Sequence, residues 1–97
     1  MIGWGAFRNC KNLQDIYIPS SVILIKSYAF DGCYKLRKIT IPESVDLEPE
    51  IFGHMLIKSV TVVGKRGGRV EKYIDEYNKK VLNYFKAEKI IFVAENE

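Results

Sequence analysis

The chain is poor in the residues on which most site chemistry depends: its 97 positions hold one histidine, two cysteines and one tryptophan. His54 has no second histidine, cysteine pair or carboxylate cluster at metal-ligand spacing around it, so no metal site is expected. No G-x-S-x-G or comparable nucleophile motif accompanies it, and His54 is read as a turn residue. No cofactor motif is present, and the chain is expected not to be an enzyme. Long apolar runs are missing as well. The longest, such as Val22 to Ile25 and Ile90 to Ala94, fall far short of the roughly 20 residues that span a bilayer. The opening Met1-Ile2-Gly3-Trp4-Gly5 lacks the basic cluster and apolar run of a secretory signal. Charge of one sign is not concentrated either. Residues 1–63 hold seven basic and six acidic side chains and residues 64–97 hold eight and six, an interspersed pattern that argues against nucleic-acid binding.

What is present is an internal repeat of 23 residues. Ile2 to Leu24 aligns without gaps on Ile25 to Leu47 and gives 11 identities, among them Ala6/Ala29, Phe7/Phe30, Cys10/Cys33, Leu13/Leu36, Ile16/Ile39, Ile18/Ile41 and Pro19/Pro42. A period of this length marks stacked units that bury a shared core none of them could make alone. A third, degenerate unit follows if two single-residue deletions are allowed. Phe52 then takes the place of Phe30, Met55 of Cys33, Ile57 of Leu36, and Val60 and Val62 of Ile39 and Ile41. Each unit holds a Leu-x-x-Ile-x-Ile-Pro segment that alternates inward apolar with outward polar residues, the period of a half-buried strand. Its proline has no N–H to donate and ends the strand. Val22-Ile23-Leu24-Ile25 reads as a brief second strand and Ala29 to Cys33 as a tight turn, with Phe7, Phe30 and Phe52 stacked through the interior.

After Gly64 the period breaks. Val70, Tyr73, Ile74, Tyr77, Val81 and Leu82 recur at spacings of three and four, which predicts an amphipathic helix over about residues 69–85. Ile90-Ile91-Phe92-Val93 predicts a strand over about 89–93, and the strand, helix, strand order suits a right-handed crossover to a parallel neighbour. The expected architecture is therefore α/β. It is a short right-handed solenoid of two full rungs and one degenerate rung (2–24, 25–47 and 48–63, within 1–63), closed by a cap over 64–97.

The stretch Ala29-Phe30-x-x-Cys33-x-x-Leu36-x-x-Ile39-x-Ile41-Pro42-x-Ser44-Val45, repeated in Ala6 to Val22, resembles the BspA-type leucine-rich repeat of bacterial and some protozoan surface proteins. Val70-Glu71-Lys72-Tyr73 is similar to that family's closing helix, and the resemblance covers roughly residues 2–80. It implies a leucine-rich-repeat solenoid and a secreted or cell-surface role in adhesion or protein binding, within a longer protein. This chain, which starts at a repeat boundary, is expected to be the C-terminal piece of such an array or a truncated reading frame.

Several side chains are candidates for particular roles. Cys10 and Cys33 share a repeat position and should lie one strand spacing apart, about 4.8 Å. Side chains in register on parallel strands point the same way, which strains a bridge, so free thiols are expected. Gly64-Lys65-Arg66-Gly67-Gly68-Arg69 precedes the helix and could weakly bind an anion, or a polyanion such as nucleic acid, through Lys65, Arg66, Arg69 and Lys72, or be a solvated hinge. The outward strand faces should form ladders of Asp15, Lys38 and Ser59 and of Tyr17, Thr40 and Thr61, flanked by Gln14, Arg37 and Lys58. This surface is either plain solvated sheet, with Asp15 opposite Lys38 as a cross-strand pair, or the docking face for a protein ligand. The first unit leaves Ile2, Trp4, Phe7, Leu13, Ile16 and Ile18 without a covering neighbour, which predicts self-association through that end.

Overall fold

Asp15–Tyr17 and Lys38–Thr40 form strands β1 and β3 of a computed structural model that describes residues 1–53, 59–81 and 89–95. The remaining elements are β2 (Leu24–Ile25), β4 (Asp46–Leu47), β5 (Thr61–Gly64), α1 (Arg69–Val81) and β6 (Ile91–Ala94). β1, β3, β5 and β6 build a four-stranded sheet in that order, and β2 pairs with β4 in a second sheet. Every pairing is parallel. Asp15 faces Lys38 and Ile16 faces Ile39, the 23-residue step that the repeat dictates.

The alternation of each strand decides what is buried. Ile39 and Val62 point inward and are fully covered, as are Ile25, Ile41 and Ile51. The phenylalanines form the expected column. The Phe7 and Phe30 rings stack at 5.3 Å, 1° from parallel, and Phe52 follows Phe30 at 6.2 Å with a 39° tilt. Stacked and tilted pairs of this kind add about 0.5–1.5 kcal/mol beyond their buried area.

Two registers differ from those expected. β2 and β4 pair Leu24 with Asp46 and Ile25 with Leu47, one residue short of the gapless alignment. That alignment would have set Glu48 beside the wholly buried Ile25, and a carboxylate in this position has no compensation. The slip brings Leu47 there and frees the Glu48 carboxylate to accept the Ser27 N–H at 2.9 Å. In β5 the correction is two residues: Val62 faces Ile39 and Val63 faces Thr40, whereas Val60 had been matched to Ile39. A shift of two keeps every side chain on its face, so alternation is blind to it.

The helix runs over Arg69–Val81, and Leu82 and the rest of the expected 69–85 span lie outside the described residues. Val70, Ile74 and Val81 are buried on its inner face, with Tyr73 and Tyr77 packed beside them. Its start is capped from another unit. The Glu43 carboxylate accepts the Arg69 N–H at 2.7 Å, placing negative charge at the positive end of the helix dipole. A Cβ on Gly68 would stand 2.5 Å from the carboxylate oxygens of Glu43, so only glycine admits this approach. Tyr73 fixes the middle of the helix by donating its hydroxyl to the Glu48 carbonyl at 2.8 Å and accepting the Ile51 N–H at 3.3 Å. Asn78 fixes the far end to the chain before β6, giving its amide to the Ile90 carbonyl (2.9 Å) and accepting the Ile90 N–H (2.8 Å). The last strand begins at Ile91, later than the expected 89, because Asn78 occupies the Ile90 main chain.

Candidate functional site

The four-stranded sheet turns one side to the core and the other to solvent, and its outward side chains fall into two rows. The pairings put Asp15, Lys38, Thr61 and Ile91 in one row and Tyr17, Thr40, Val63 and Val93 in the other. Thr61 therefore stands beside Lys38 rather than Thr40, and Val63 takes the place expected for Thr61. Ser59 precedes the strand and joins neither row. Lys58 lies outside the described residues.

The rows change character along the sheet. Asp15, Lys38 and Arg37 on the first strands are exposed and charged, while Ile91 (52%) and Val93 (44%) on the last strand are exposed and apolar. Tyr17 is the most exposed large hydrophobic side chain of the sheet, at 71%. Asp15 does not pair with Lys38, which faces it, but with Arg37, at 3.1 Å. Both partners are more than half exposed, so the pair is worth about 0.2–1 kcal/mol and orients the side chains more than it stabilises the fold. Gln14 flanks them, its carbonyl accepting the Arg37 N–H at 2.7 Å and the Lys38 N–H at 3.2 Å.

A second cluster sits on the turns ahead of the strands. The Trp4 ring lies 5.6 Å from that of Tyr28, and the Arg8 guanidinium stands over Trp4 at 5.6 Å while its Nε reaches Asp31 at 3.2 Å. A cation over an indole face is worth about 0.5–1 kcal/mol at an exposed site. The sequence pattern singles out Trp4 as a rim residue but not its partners Arg8, Tyr28 and Asp31, which are not apolar positions of the repeat.

The basic loop at the helix start is already filled by the chain's own acids. Arg69 gives its guanidinium to the Glu43 carbonyl and to Asp46, and its N–H to the Glu43 carboxylate. Glu71 accepts the Gly67 N–H at 2.7 Å and stands 3.6 Å from Arg66. An anion arriving here would displace carboxylates already held by these donors. Lys65 and Lys72 are exposed beside them.

The cysteines are both free thiols. Cys33 donates its S–H to the Phe7 carbonyl at 3.1 Å, and burial pushes its pKa up. At the first unit, Met1 (70%) and Trp4 (58%) are exposed, and Ile2, Phe7, Leu13 and Ile16 are half-buried. Ile18, expected on that rim, is 1% exposed. Its N–H donates to the Thr40 carbonyl at 2.9 Å, and its side chain enters the core cluster.

Among the described residues, no helix is long and apolar enough to cross a membrane. No curated protein and no solved structure matches the chain. A family model described as BspA type leucine rich repeat region (6 copies) matches residues 1–92, more than the 2–80 over which the motif is visible. Leucine-rich repeats generally mediate protein–protein interaction and are generally not enzymes, and the BspA type is associated with cell-surface proteins. With parallel strands in 23-residue register and a match over nearly its full length, the chain belongs to the BspA-type leucine-rich repeat family.

Proposed function

We propose that the chain is a non-enzymatic protein-interaction module, adhesive in its parent context, that reads its ligand with the outward rows of the four-stranded sheet. In this reading it is a short right-handed solenoid of units 2–24, 25–47 and 48–63, with residues 64–97 as the cap, working at the cell surface or outside the cell. The observation that carries it is Tyr17, 71% exposed in line with Thr40, Val63 and Val93 on a sheet held rigid by its core. Tyrosine gives large contact area at small entropic cost and is enriched among residues that dominate binding energy. Around it stand the charged groups Asp15, Arg37 and Lys38, with Gln14 and Thr61 adjoining and Ser59 at the margin. A stable interface takes about 800 Å² from each partner. Two rows of four side chains supply only part of that, so the turns carrying Trp4, Arg8 and Tyr28 contribute the rest.

A photo-crosslinking amino acid at position 17, compared with one at exposed Lys80 on α1, tests this on intact cells. The expected result is a protein adduct from position 17 alone, lost when Arg37→Glu and Lys38→Glu are added while the circular dichroism stays unchanged. Identical adducts from both positions, or adducts indifferent to the charge reversal, would refute the assignment.

A further inference from the structure

Strand β4 pairs with β2 in parallel on one side only. The Asp46 and Glu48 N–H groups donate to the Ile23 and Ile25 carbonyls, each at 3.0 Å. Main-chain groups alternate in direction along a strand, so the N–H and C=O of Leu47, which lies between these two, point away from β2. One unit on from Ile23 and Ile25, the corresponding acceptors are the carbonyls of Val45 and Leu47. No third strand meets them, because after Gly64 the chain passes through 65–68 into α1. Among the described residues, neither these two carbonyls nor the Leu47 N–H has a hydrogen-bond partner.

The helix takes the carbonyls on either side of this gap. Arg69 binds that of Glu43 and Tyr73 that of Glu48, so α1 runs alongside β4 in the same direction. A groove of about 300 Å³ is left between them, at the lower end of the range for ligand clefts. Buried Val45 and Val70 and half-buried Leu47 give it an apolar lining, and exposed Lys72 and Glu76 stand on its helix side. Arg69 is engaged with Asp46, whereas Lys72 and Glu76 have no ion pair among the described residues. A free main-chain donor and acceptor on one residue, above an apolar lining, are what an added strand requires.

We propose that this groove takes an extended peptide segment of a partner protein as a third strand of the β2–β4 sheet, parallel to β4. Its central residue pairs with Leu47: the residue before it accepts the Leu47 N–H, and the residue after it donates to the Leu47 carbonyl. Side chains in register on parallel strands share a side, so the central one joins Leu47 over the apolar lining and is itself apolar. The two flanking residues lie about 6.6 Å apart, which matches the step of about 6 Å along the helix from Lys72 to Glu76. The first is acidic, to meet Lys72, and the second basic, to meet Glu76. This site belongs to the second sheet and is independent of the Tyr17 face.

The test is a titration of the full chain with the end-blocked peptide GEVKG, with the amide resonances followed by NMR. The expected result is a saturable shift of the Leu47 amide and slower hydrogen exchange there, with the Tyr17 and Thr40 amides unmoved. Lys72→Glu should weaken binding roughly fivefold or more. Adding Glu76→Lys to it should restore binding for the reversed peptide GKVEG and not for GEVKG. Both positions are exposed, so the circular dichroism of these variants should be unchanged. No shift at Leu47 in millimolar peptide, shifts centred on the four-stranded sheet, or equal binding of GEVKG and GKVEG by the unaltered chain would each overturn the proposal.

Discussion

Replacing Phe30 with alanine tests the column on which the stack depends. Phe30 is 2% exposed, with Phe7 stacked on one side at 5.3 Å and Phe52 tilted on the other at 6.2 Å. Truncating a phenylalanine so enclosed costs about 3–5 kcal/mol, from lost transfer energy and the cavity left behind. A domain of this size has about 5–15 kcal/mol of stability in total. At about 4–8 °C per kcal/mol, the melting temperature should fall by roughly 12–40 °C.

Phe7→Ala is the internal control. Phe7 is half-buried and has one ring neighbour, so it should cost about half as much, roughly 1.5–2.5 kcal/mol. Urea unfolding followed by circular dichroism measures both. Their m-values show whether either variant has changed the surface exposed on unfolding. The reasoning fails if the two losses agree within about 0.5 kcal/mol, because the enclosure of Phe30 by rings on both sides would then contribute nothing.

Glu43→Ala removes the acceptor of the Arg69 N–H and should cost about 1 kcal/mol in the same assay; no loss would mean that water caps the helix as well. Tyr73→Phe should cost about 1–2 kcal/mol, since the Glu48 carbonyl and the Ile51 N–H both lose a partner. Burial holds the Tyr73 pKa above its ordinary 10.0, so the folded chain keeps a proton that the unfolded chain gives up. This contribution is intact below pH 10.0 and is lost as the pH climbs through the raised value; Tyr73→Phe should flatten that alkaline decline. Asn78→Asp keeps an acceptor for the Ile90 N–H but turns a carboxylate toward the Ile90 carbonyl, and should cost about 1–3 kcal/mol in urea unfolding. Because burial raises the Cys33 pKa, iodoacetamide at pH 8 should alkylate it more slowly than the same cysteine in unfolded chain; equal rates with and without urea would contradict this.

Elements copied from one unit to the next were legible in the sequence, and those that depart from the copy were not. The β1–β3 register, the phenylalanine column and the helix face follow from identities and spacing, because each buries apolar side chains at a fixed period. The β5 register was two residues off because the slip preserves the inward set, and the β2–β4 slip rests on a contest between Leu47 and Glu48 for one buried position. The helix anchors are invisible to any local pattern, since Glu43 and Arg69 lie 26 residues apart and Asn78 and Ile90 lie 12 apart. One signal did point to the first. Pro42 is followed by Glu43 where Pro19 is followed by Ser20, a departure in the unit that meets the helix.

The outward face was legible only as an alternation of polar residues, and its composition depends on which strand sits beside which. Correcting β5 by two residues moves Thr61 into the row of Asp15 and Lys38 and brings Val63 beside Thr40. With β6 alongside, the rows run from charged at one edge to Ile91 and Val93 at the other. A ligand bridging these edges meets acid and base on β1 and β3 and an apolar strip on β5 and β6. Tyr17→Ala should therefore weaken ligand capture while the circular dichroism stays unchanged, and capture at the unaltered level would remove this face as the docking surface.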